Sequence, residues 1–315
     1  MSVSPNFKPW KYMMTVRNVY LLTASVALMS VSHSATMHWQ GEGSSDDWHD
    51  LDNWNTKYVP GNNGEEDNVI FEGVEDSCTP ISSFNFIKAS NFNLRDEATL
   101  TLEAGVSISN FENVRLAPNG APKSGGHIVQ TGGNLFGNHF YVASSRKAAS
   151  RSSHTLSGGT VSLTGKYEVK ELGDVVLTGA SASLKASLIN FIGASTLTFN
   201  FDTSGIGSLT SEGIFKVSED TVLEINAGSY DRSAGGSFTL VNANRYTGFA
   251  TSNIIVNGFG AEGEGYTLTQ DHEGNGDLIF EVIADPEASV SSSGGSSASA
   301  LIGFGSTSVV ISRPH

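Results

Sequence analysis

The sequence predicts an all-β protein, a right-handed parallel β-helix with an antiparallel sheet at its C-terminal end. Charged residues make up only 16% of the 315 residues and glycine occurs 35 times, a balance that suits short strands and turns better than helical bundles. Short segments alternate apolar and polar residues along most of the chain. Glycine doublets, Gly132 with Gly133 and Gly158 with Gly159, follow strand-like segments. At such doublets a coil can turn or approach its neighbour closely.

Residues 1–35 are predicted to be a secretory signal peptide. A basic stretch with Lys8, Lys11 and Arg17 precedes an apolar stretch over residues 19–31, and small residues follow where a peptidase could cleave. The apolar stretch is shorter than the ~20 residues that a membrane span needs. We therefore expect a secreted chain, and an uncleaved N-terminal anchor is the alternative.

Residues 36–83 are predicted to form a tryptophan-rich cap over the first coil. Trp39, Trp48 and Trp54 stand close together in a polar segment, and stacked sheets need their ends covered. Two alternatives stay open: exposed tryptophan faces could bind sugar rings, or the carboxylates between the tryptophans could hold calcium. Those carboxylates belong to Asp46, Asp47, Asp50 and Asp52. Their spacing is not that of a calcium loop.

Residues 84–201 are predicted to form the β-solenoid itself. Short alternating segments recur there, bounded by Gly, Asn, Asp or Ser. Gly158 stands 26 residues after Gly132, and Gly179 stands 21 residues after Gly158. This loose period lies in the range of one solenoid coil, with loops of different lengths leaving a regular core.

Residues 202–283 are predicted to form an antiparallel sheet that closes the C-terminal end. The strand-like segments are residues 213–217, 221–225, 237–241, 266–270 and 278–282. The last two are predicted to pair as a hairpin. Residues 284–315 have the composition of a Ser/Gly linker followed by a short apolar patch.

The charge and the motifs limit the chemistry. A formal net charge of −14 argues against nucleic acid as a partner, because its phosphates would repel the surface. Cys78 is the only cysteine, so no internal disulfide forms, and we expect a small, semi-buried residue there. No metal-binding, phosphate-binding or nucleophile motif occurs in a suitable context.

Few basic residues stand in strand-like segments. They are Arg115, Lys166, Lys170 and Lys185. None has an obvious acidic partner on the same strand face, and Glu168 and Glu171, near Lys170, are predicted to be solvated charges. The sequence therefore predicts no catalytic residue.

Three stretches resemble secreted bacterial proteins of the PEP-CTERM type with autotransporter-like β-helical passenger regions, which abound in Verrucomicrobia, Planctomycetes and Lentisphaerae. The stretches are the opening with Asn53-Trp54, Val59-Pro60 and Asp67-Asn68-Val69, the coil pattern of residues 130–133, 141–145 and 156–160, and the terminal segments 237–241, 248–249 and 265–266. The resemblance covers most of residues 39–283. It implies a location outside the cell or in the outer envelope of a Gram-negative-type bacterium.

The C-terminal tail of this chain departs from the sorting tail of that family. Pro286-Glu287-Ala288 lacks the second proline, and Arg313 is a single arginine after a short, glycine-broken apolar patch. We therefore expect that the tail does not anchor the chain stably in a membrane.

Two functions from different classes follow. The first is a non-enzymatic structural protein, secreted or on the cell surface and associated with the extracellular matrix. The alternative is a carbohydrate-binding protein or a polysaccharide lyase-like enzyme, because β-helices host both roles. The expected partners are extracellular polysaccharide or other envelope proteins. No cofactor is expected, apart from the calcium alternative.

Overall fold

The computed structural model describes residues 35–61, 66–86, 90–118, 125–144, 150–271 and 276–284. The described residues are all-β, with 55% of them in strands and 5% in helices. The predicted signal peptide before Ala35 and the predicted tail after Ala284 lie outside the described residues. Within these residues, no helix has the length and apolar character needed to cross a membrane.

The strands alternate between two sheets. In chain order they are β1 (Thr36–His38), β2 (Asn68–Glu72), β3 (Phe84–Asn85), β4 (Asn91–Arg95), β5 (Thr99–Leu102), β6 (Ser107–Leu116), β7 (His127–Gln130), β8 (Asn134–Val142), β9 (Ser152–Leu156), β10 (Gly159–Val169), β11 (Gly173–Thr178), β12 (Ala182–Phe191), β13 (Thr196–Asn200), β14 (Ser208–Val217), β15 (Val222–Asn226), β16 (Gly236–Tyr246), β17 (Ile254–Asn257), β18 (Tyr266–Gln270) and β19 (Leu278–Val282). The short 3₁₀ helices are Leu51–Asn53, Val74–Asp76, Arg232–Ala234 and Thr251–Asn253.

The two sheets build a β-solenoid of about 6 turns, as predicted. The large sheet has the order β1-β2-β4-β6-β8-β10-β12-β14-β16-β19-β18, and β3 pairs with β6. The small sheet has the order β17-β15-β13-β11-β9-β7-β5. Asn134, Thr160, Ser183 and Ser208 stand at one level of successive coils. A coil in this part of the stack is therefore 23 to 26 residues long.

Each long strand of the large sheet is interrupted at its centre. The register between β10 and β12 shifts between Leu163 and Lys166, and the pairs β6–β8, β8–β10, β12–β14 and β14–β16 shift at the same level. Such an irregularity bends the strand and changes the aim of its side chains. Because the shifts are stacked, the second halves of the long strands form a continuous outer face of their own.

The glycine doublets lie on top of each other in neighbouring coils. Gly159 has a φ of +80°, and a Cβ atom there would stand 1.4 Å from the carbonyl oxygen of Gly132. A Cβ atom at Gly158 would stand 2.4 Å from the carbonyl oxygen of Thr131. Close backbone approach is confirmed at both Gly158 and Gly159, and positive φ is confirmed at Gly159.

Alternate residues of each strand fill the interior. In β10, Val161, Leu163, Tyr167 and Val169 are buried, and the residues between them face outward. Cys78 is also buried. Burial and the charges of Asp46 and Asp76 raise the pKa of the Cys78 thiol, so it behaves as a small apolar residue, as predicted.

The antiparallel section begins later than residue 202. β14 pairs with the second half of β16 in parallel, and β15 pairs with β17 in parallel. Among the described strands, antiparallel pairing joins the first half of β16 to β19 and β19 to β18. The predicted hairpin is confirmed, but the solenoid continues to β17 because strand composition does not distinguish parallel from antiparallel neighbours. Likewise, β1 and β2 within residues 36–83 already belong to the large sheet.

Candidate functional site

Trp39, Trp48 and Trp54 form an aromatic cluster inside the first coils. Their exposed fractions are 1%, 0% and 0%. Trp48 stacks on Trp54 at 5.3 Å between ring centroids, and Trp39 stacks on Phe71 at 5.7 Å. Trp54 Nε1 donates a hydrogen bond to the carbonyl oxygen of Trp48 at 3.0 Å. We call these three residues with Phe71 the tryptophan cluster.

The burial of the tryptophan cluster bears on two of its predicted roles. A platform for sugars needs ring faces that solvent can reach, whereas these rings face each other and the core. The geometry matches the interior of a cap, in which aromatic pairs add to the stability gained from burial. The sugar-platform alternative therefore does not fit the positions of Trp39, Trp48 and Trp54.

Three of the four aspartates of the calcium alternative bind the local backbone, and the fourth, Asp52, pairs with a lysine. Asp46 accepts from the Thr79 amide at 3.0 Å, and Asp50 accepts from the Asp52 and Ser44 amides. Hydrogen bonds from Ser82 and the His49 amide lower the pKa of Asp47, and Asp52 pairs with Lys57 at 3.3 Å. Among the described residues, no group of three or more His, Cys, Asp or Glu is arranged to hold a metal ion.

A second group of mostly polar residues lies on the outer face of the large sheet. Strand pairing aligns one residue from each of seven successive strands, β2 to β14, into what we call the central row. The central row consists of Ile70, Asn93, Arg115, Tyr141, Glu168, Asn190 and Lys216. Neighbours in the row are separated by one strand spacing, about 4.8 Å.

Three cations converge on Tyr141 in the middle of this row. Lys166 Nζ lies 4.9 Å from the centroid of the Tyr141 ring, and Arg115 Cζ and Lys170 Nζ each lie 5.9 Å from it. Glu168 accepts from Lys166 at 3.1 Å and lies 3.5 Å from Lys170. We call these five residues the Tyr141 cluster.

The solenoid brings the cluster together from three coils. Arg115 is opposite Tyr141 in β6, and Glu168 is opposite Tyr141 in β10. Lys166 and Glu168 alternate with the buried Tyr167 and Val169, so their side chains face outward. The register shift before Lys166 sets which residues of β10 stand on this face.

The cluster keeps its positive charge. Burial lowers the pKa of Lys166, but the hydrogen bond and charge of Glu168, with a contribution from Tyr141, outweigh burial and raise it above its ordinary value. Three cations and one carboxylate leave two positive charges in the cluster. Arg115 donates to Asn91 at 2.6 Å and has no carboxylate partner among the residues described.

His139 lies beside the cluster with its tautomer fixed. Burial lowers its pKa; the charge of Glu112 opposes this, and the charges of Lys166 and Arg115 reinforce it. The Lys166 amide donates to His139 Nδ1 at 3.0 Å, so the proton of the neutral ring resides on Nε2. A Cβ atom at position 165 would stand 2.3 Å from the His139 ring, so Gly165 makes room for it.

The cluster and the neighbouring His139 together offer fixed cations, a phenol and a neutral imidazole donor on an accessible outer face. Side chains of Lys166 and Lys170 are 32% and 23% exposed. Such a group can bind carboxylate, sulfate or phosphate oxygens through charge-assisted hydrogen bonds. The surplus of like charges is relieved when an anion binds.

The sequence places Arg115, Lys166 and Lys170 in strand-like segments but does not show that they lie together. The stacking of the coils brings them together. The interpretation of Glu168 as a solvated charge is wrong, because its side chain is 11% exposed and lies against both lysines. Lys185 stays apart, paired with Glu212 at 2.7 Å, and both side chains are about half exposed.

Comparison with known proteins gives no relative. No protein-family model, no curated protein and no solved structure matches the chain.

Proposed function

We propose that this chain is a non-enzymatic, matrix-associated protein that holds acidic extracellular polysaccharide through the Tyr141 cluster. The observation that carries the proposal is the convergence of Arg115, Lys166 and Lys170 on Tyr141. In a chain of net charge −14, an outward group with two surplus positive charges favours an anionic partner locally, while the rest of the surface repels nonspecific polyanions.

The hydrogen bonds of the possible catalytic bases in this region support polysaccharide binding rather than cleavage. A lyase needs a base that can take a proton from the sugar carbon next to a carboxylate. Lys166 is held protonated, Glu168 is shared by two lysines, and His139 Nδ1 already accepts a hydrogen bond from the Lys166 amide. Glu112 accepts from Asn138 through both oxygens, at 2.9 and 3.0 Å. The lyase-like enzyme remains the alternative function, since lysine, arginine, tyrosine and histidine stand together here.

The proposed location is outside the cell or in the outer envelope. The basic and apolar N-terminal stretches and the resemblance to secreted β-helical proteins support it. N-terminal sequencing of secreted material should begin near Ala35 or Thr36. Intact chains starting at Met1 in the cytosol would contradict the proposed location.

Binding of polygalacturonate, a polymer of uronate residues, tests the proposed function. We compare the wild-type chain with the double variant Lys166→Ala/Lys170→Ala by titration calorimetry, with dextran as the uncharged polymer. Binding of polygalacturonate should weaken at least roughly tenfold in the double variant, and dextran should not bind. Absorbance of unsaturated uronate products, followed in the same samples with and without calcium, should stay flat.

Lys185→Ala is the matched control. It removes a lysine from the same sheet, where the side chain pairs with Glu212 away from Tyr141, and it should leave polygalacturonate binding unchanged. Equal binding by wild type and the double variant, with both folded by circular dichroism, would refute the proposed function. Formation of unsaturated product would replace it with the lyase function.

A further inference from the structure

We infer that the bound polysaccharide is a linear uronate chain that lies along the central row, parallel to the axis of the stack. This inference rests on the proposed function and adds the direction of the polymer and the extent of its site. Two observations carry it, the spacing of the central row and a polar cleft at one side of the Tyr141 cluster.

The central row offers a repeat that suits an extended sugar chain. Asn93, Arg115, Tyr141 and Glu168 occupy consecutive strands β4, β6, β8 and β10, one step of about 4.8 Å apart. A pyranose residue in an extended chain advances by nearly the same distance. A polymer along the axis therefore passes one residue of the row at each sugar, whereas a polymer across the strands meets the row only once.

A cleft continues the Tyr141 cluster toward the first coils. Its volume is ≈ 370 Å³. Its lining residues are Asn68, Ile70, Asn93, Arg95, Arg115 and Pro118. Arg115 belongs to both the cleft and the Tyr141 cluster, so the two are contiguous.

The chemistry of the cleft differs from that of the cluster in a way that fits a polyuronate. Asn93 Nδ2 donates to Asn68 Oδ1 at 2.6 Å, and Arg95 pairs with Glu72, so the side of the cleft away from Arg115 offers amides and an arginine whose charge is compensated. Sugar hydroxyls bind to such amides, and carboxylates bind to Arg115, Lys166 and Lys170. The ligand class is therefore a chain that carries both groups along its length, as uronate polymers do.

Oligogalacturonates of defined length test the direction. A disaccharide bound to the Tyr141 cluster does not reach β4. A tetrasaccharide spans β4 to β10 and lies against Asn93, whose amide contacts Asn68 of β2 in the cleft. The affinity should therefore rise at least roughly tenfold from disaccharide to tetrasaccharide and change little from tetrasaccharide to hexasaccharide.

The variant Asn68→Asp places a negative charge in the cleft and keeps the oxygen that accepts from Asn93. It should weaken tetrasaccharide binding several-fold and leave disaccharide binding unchanged. Asn200→Asp is the matched control, because Asn200 Oδ1 likewise accepts an amide hydrogen bond, from Asn226 at 2.9 Å, but on the small sheet. It should change neither affinity.

The outcomes separate this inference from the proposed function. Equal affinities for all oligosaccharide lengths would overturn the axial direction, and so would wild-type affinity of Asn68→Asp for the tetrasaccharide. The proposed function would stand in either case as long as binding still depends on Lys166 and Lys170. Loss of that lysine dependence would overturn both. Weaker disaccharide binding in Asn68→Asp would also contradict the assigned site, since the disaccharide should not reach the cleft.

Discussion

The tryptophan cluster and the Tyr141 cluster are both built from aromatic rings with charged neighbours, but they face opposite sides of the coil. Trp39, Trp48 and Trp54 are buried against one another. Tyr141 lies on the outer face, where three cations approach its ring. A high density of aromatic and acidic residues along the sequence therefore marks a core in this protein. The candidate binding surface is formed by residues that are far apart in sequence.

The largest expected effect separates the two clusters by stability. Replacing Trp54 by alanine removes a fully buried ring and should lower the free energy of unfolding by about 3–5 kcal/mol, as large core truncations do. Urea denaturation measures this change. Polygalacturonate binding, tested below the unfolding transition, should persist. Wild-type stability of the Trp54→Ala variant would contradict the assignment of the tryptophan cluster to the core.

A second prediction concerns the interior beneath the Tyr141 cluster. His154 is fully buried, stacks on Phe140 at 4.9 Å, and its Nδ1 lies 2.8 Å from the Tyr167 hydroxyl. Burial lowers the pKa of His154 from 6.5 to about 3. Below pH 6.5 the unfolded chain takes up a proton on this imidazole that the folded chain does not, so stability is complete above pH 6.5 and is lost as the pH falls toward 3.

This loss should approach roughly 4 kcal/mol by pH 3, since each pKa unit corresponds to about 1.4 kcal/mol. Denaturant titrations from pH 7 to pH 3 measure it. The double variant His154→Phe/Tyr167→Phe should lose this part of the pH dependence, whereas Tyr167→Phe alone should retain it. Identical pH profiles for the two variants would show that His154 does not titrate as proposed.

The variant Glu168→Gln tests the role of the carboxylate in the Tyr141 cluster. The change leaves Lys166 and Lys170 without their carboxylate, so stability should fall by about 1.5–3 kcal/mol, the usual contribution of a hydrogen bond to a charged group. The same change should strengthen polygalacturonate binding, because the competing carboxylate is gone. Unchanged or weaker binding, measured by calorimetry at constant salt, would count against the cluster as an anion site.

The smallest effect is expected at Lys185. Its pair with Glu212 is about half exposed on both sides, so Lys185→Ala should change the free energy of unfolding by less than about 1 kcal/mol. Parallel urea titrations of this variant and the wild type provide the test. A larger loss of unfolding free energy would mean that charged pairs outside the Tyr141 cluster also stabilise this sheet.

The local pattern of the sequence was sufficient to predict the all-β class, the stacked coils and the terminal hairpin. The glycine doublets predicted the turns, because Gly159 needs both its positive φ and its close contact with Gly132. The boundary at residue 202 was wrong, since the alternation of β14 and β15 is the same for parallel and antiparallel neighbours.

The Tyr141 cluster could not be predicted because it depends on register. Its members extend from residue 115 to residue 170, and only the pairing of β6, β8 and β10 brings Arg115, Tyr141 and Glu168 side by side. The register shift before Lys166 decides which side chains of β10 share that face, and no local signal in the sequence fixes it. The two charged residues between which Tyr141 lies are therefore visible only in the folded coil.

Protection of lysines from acetylation tests most directly the claim that the Tyr141 cluster is the polysaccharide site. The wild-type chain is treated with an acetylating reagent with and without polygalacturonate, and the modification of each lysine is measured by mass spectrometry. Lys166 and Lys170 should react more slowly when polygalacturonate is present, whereas Lys185 should react at the same rate. Protection of Lys185 with no change at Lys166 and Lys170 would contradict the account.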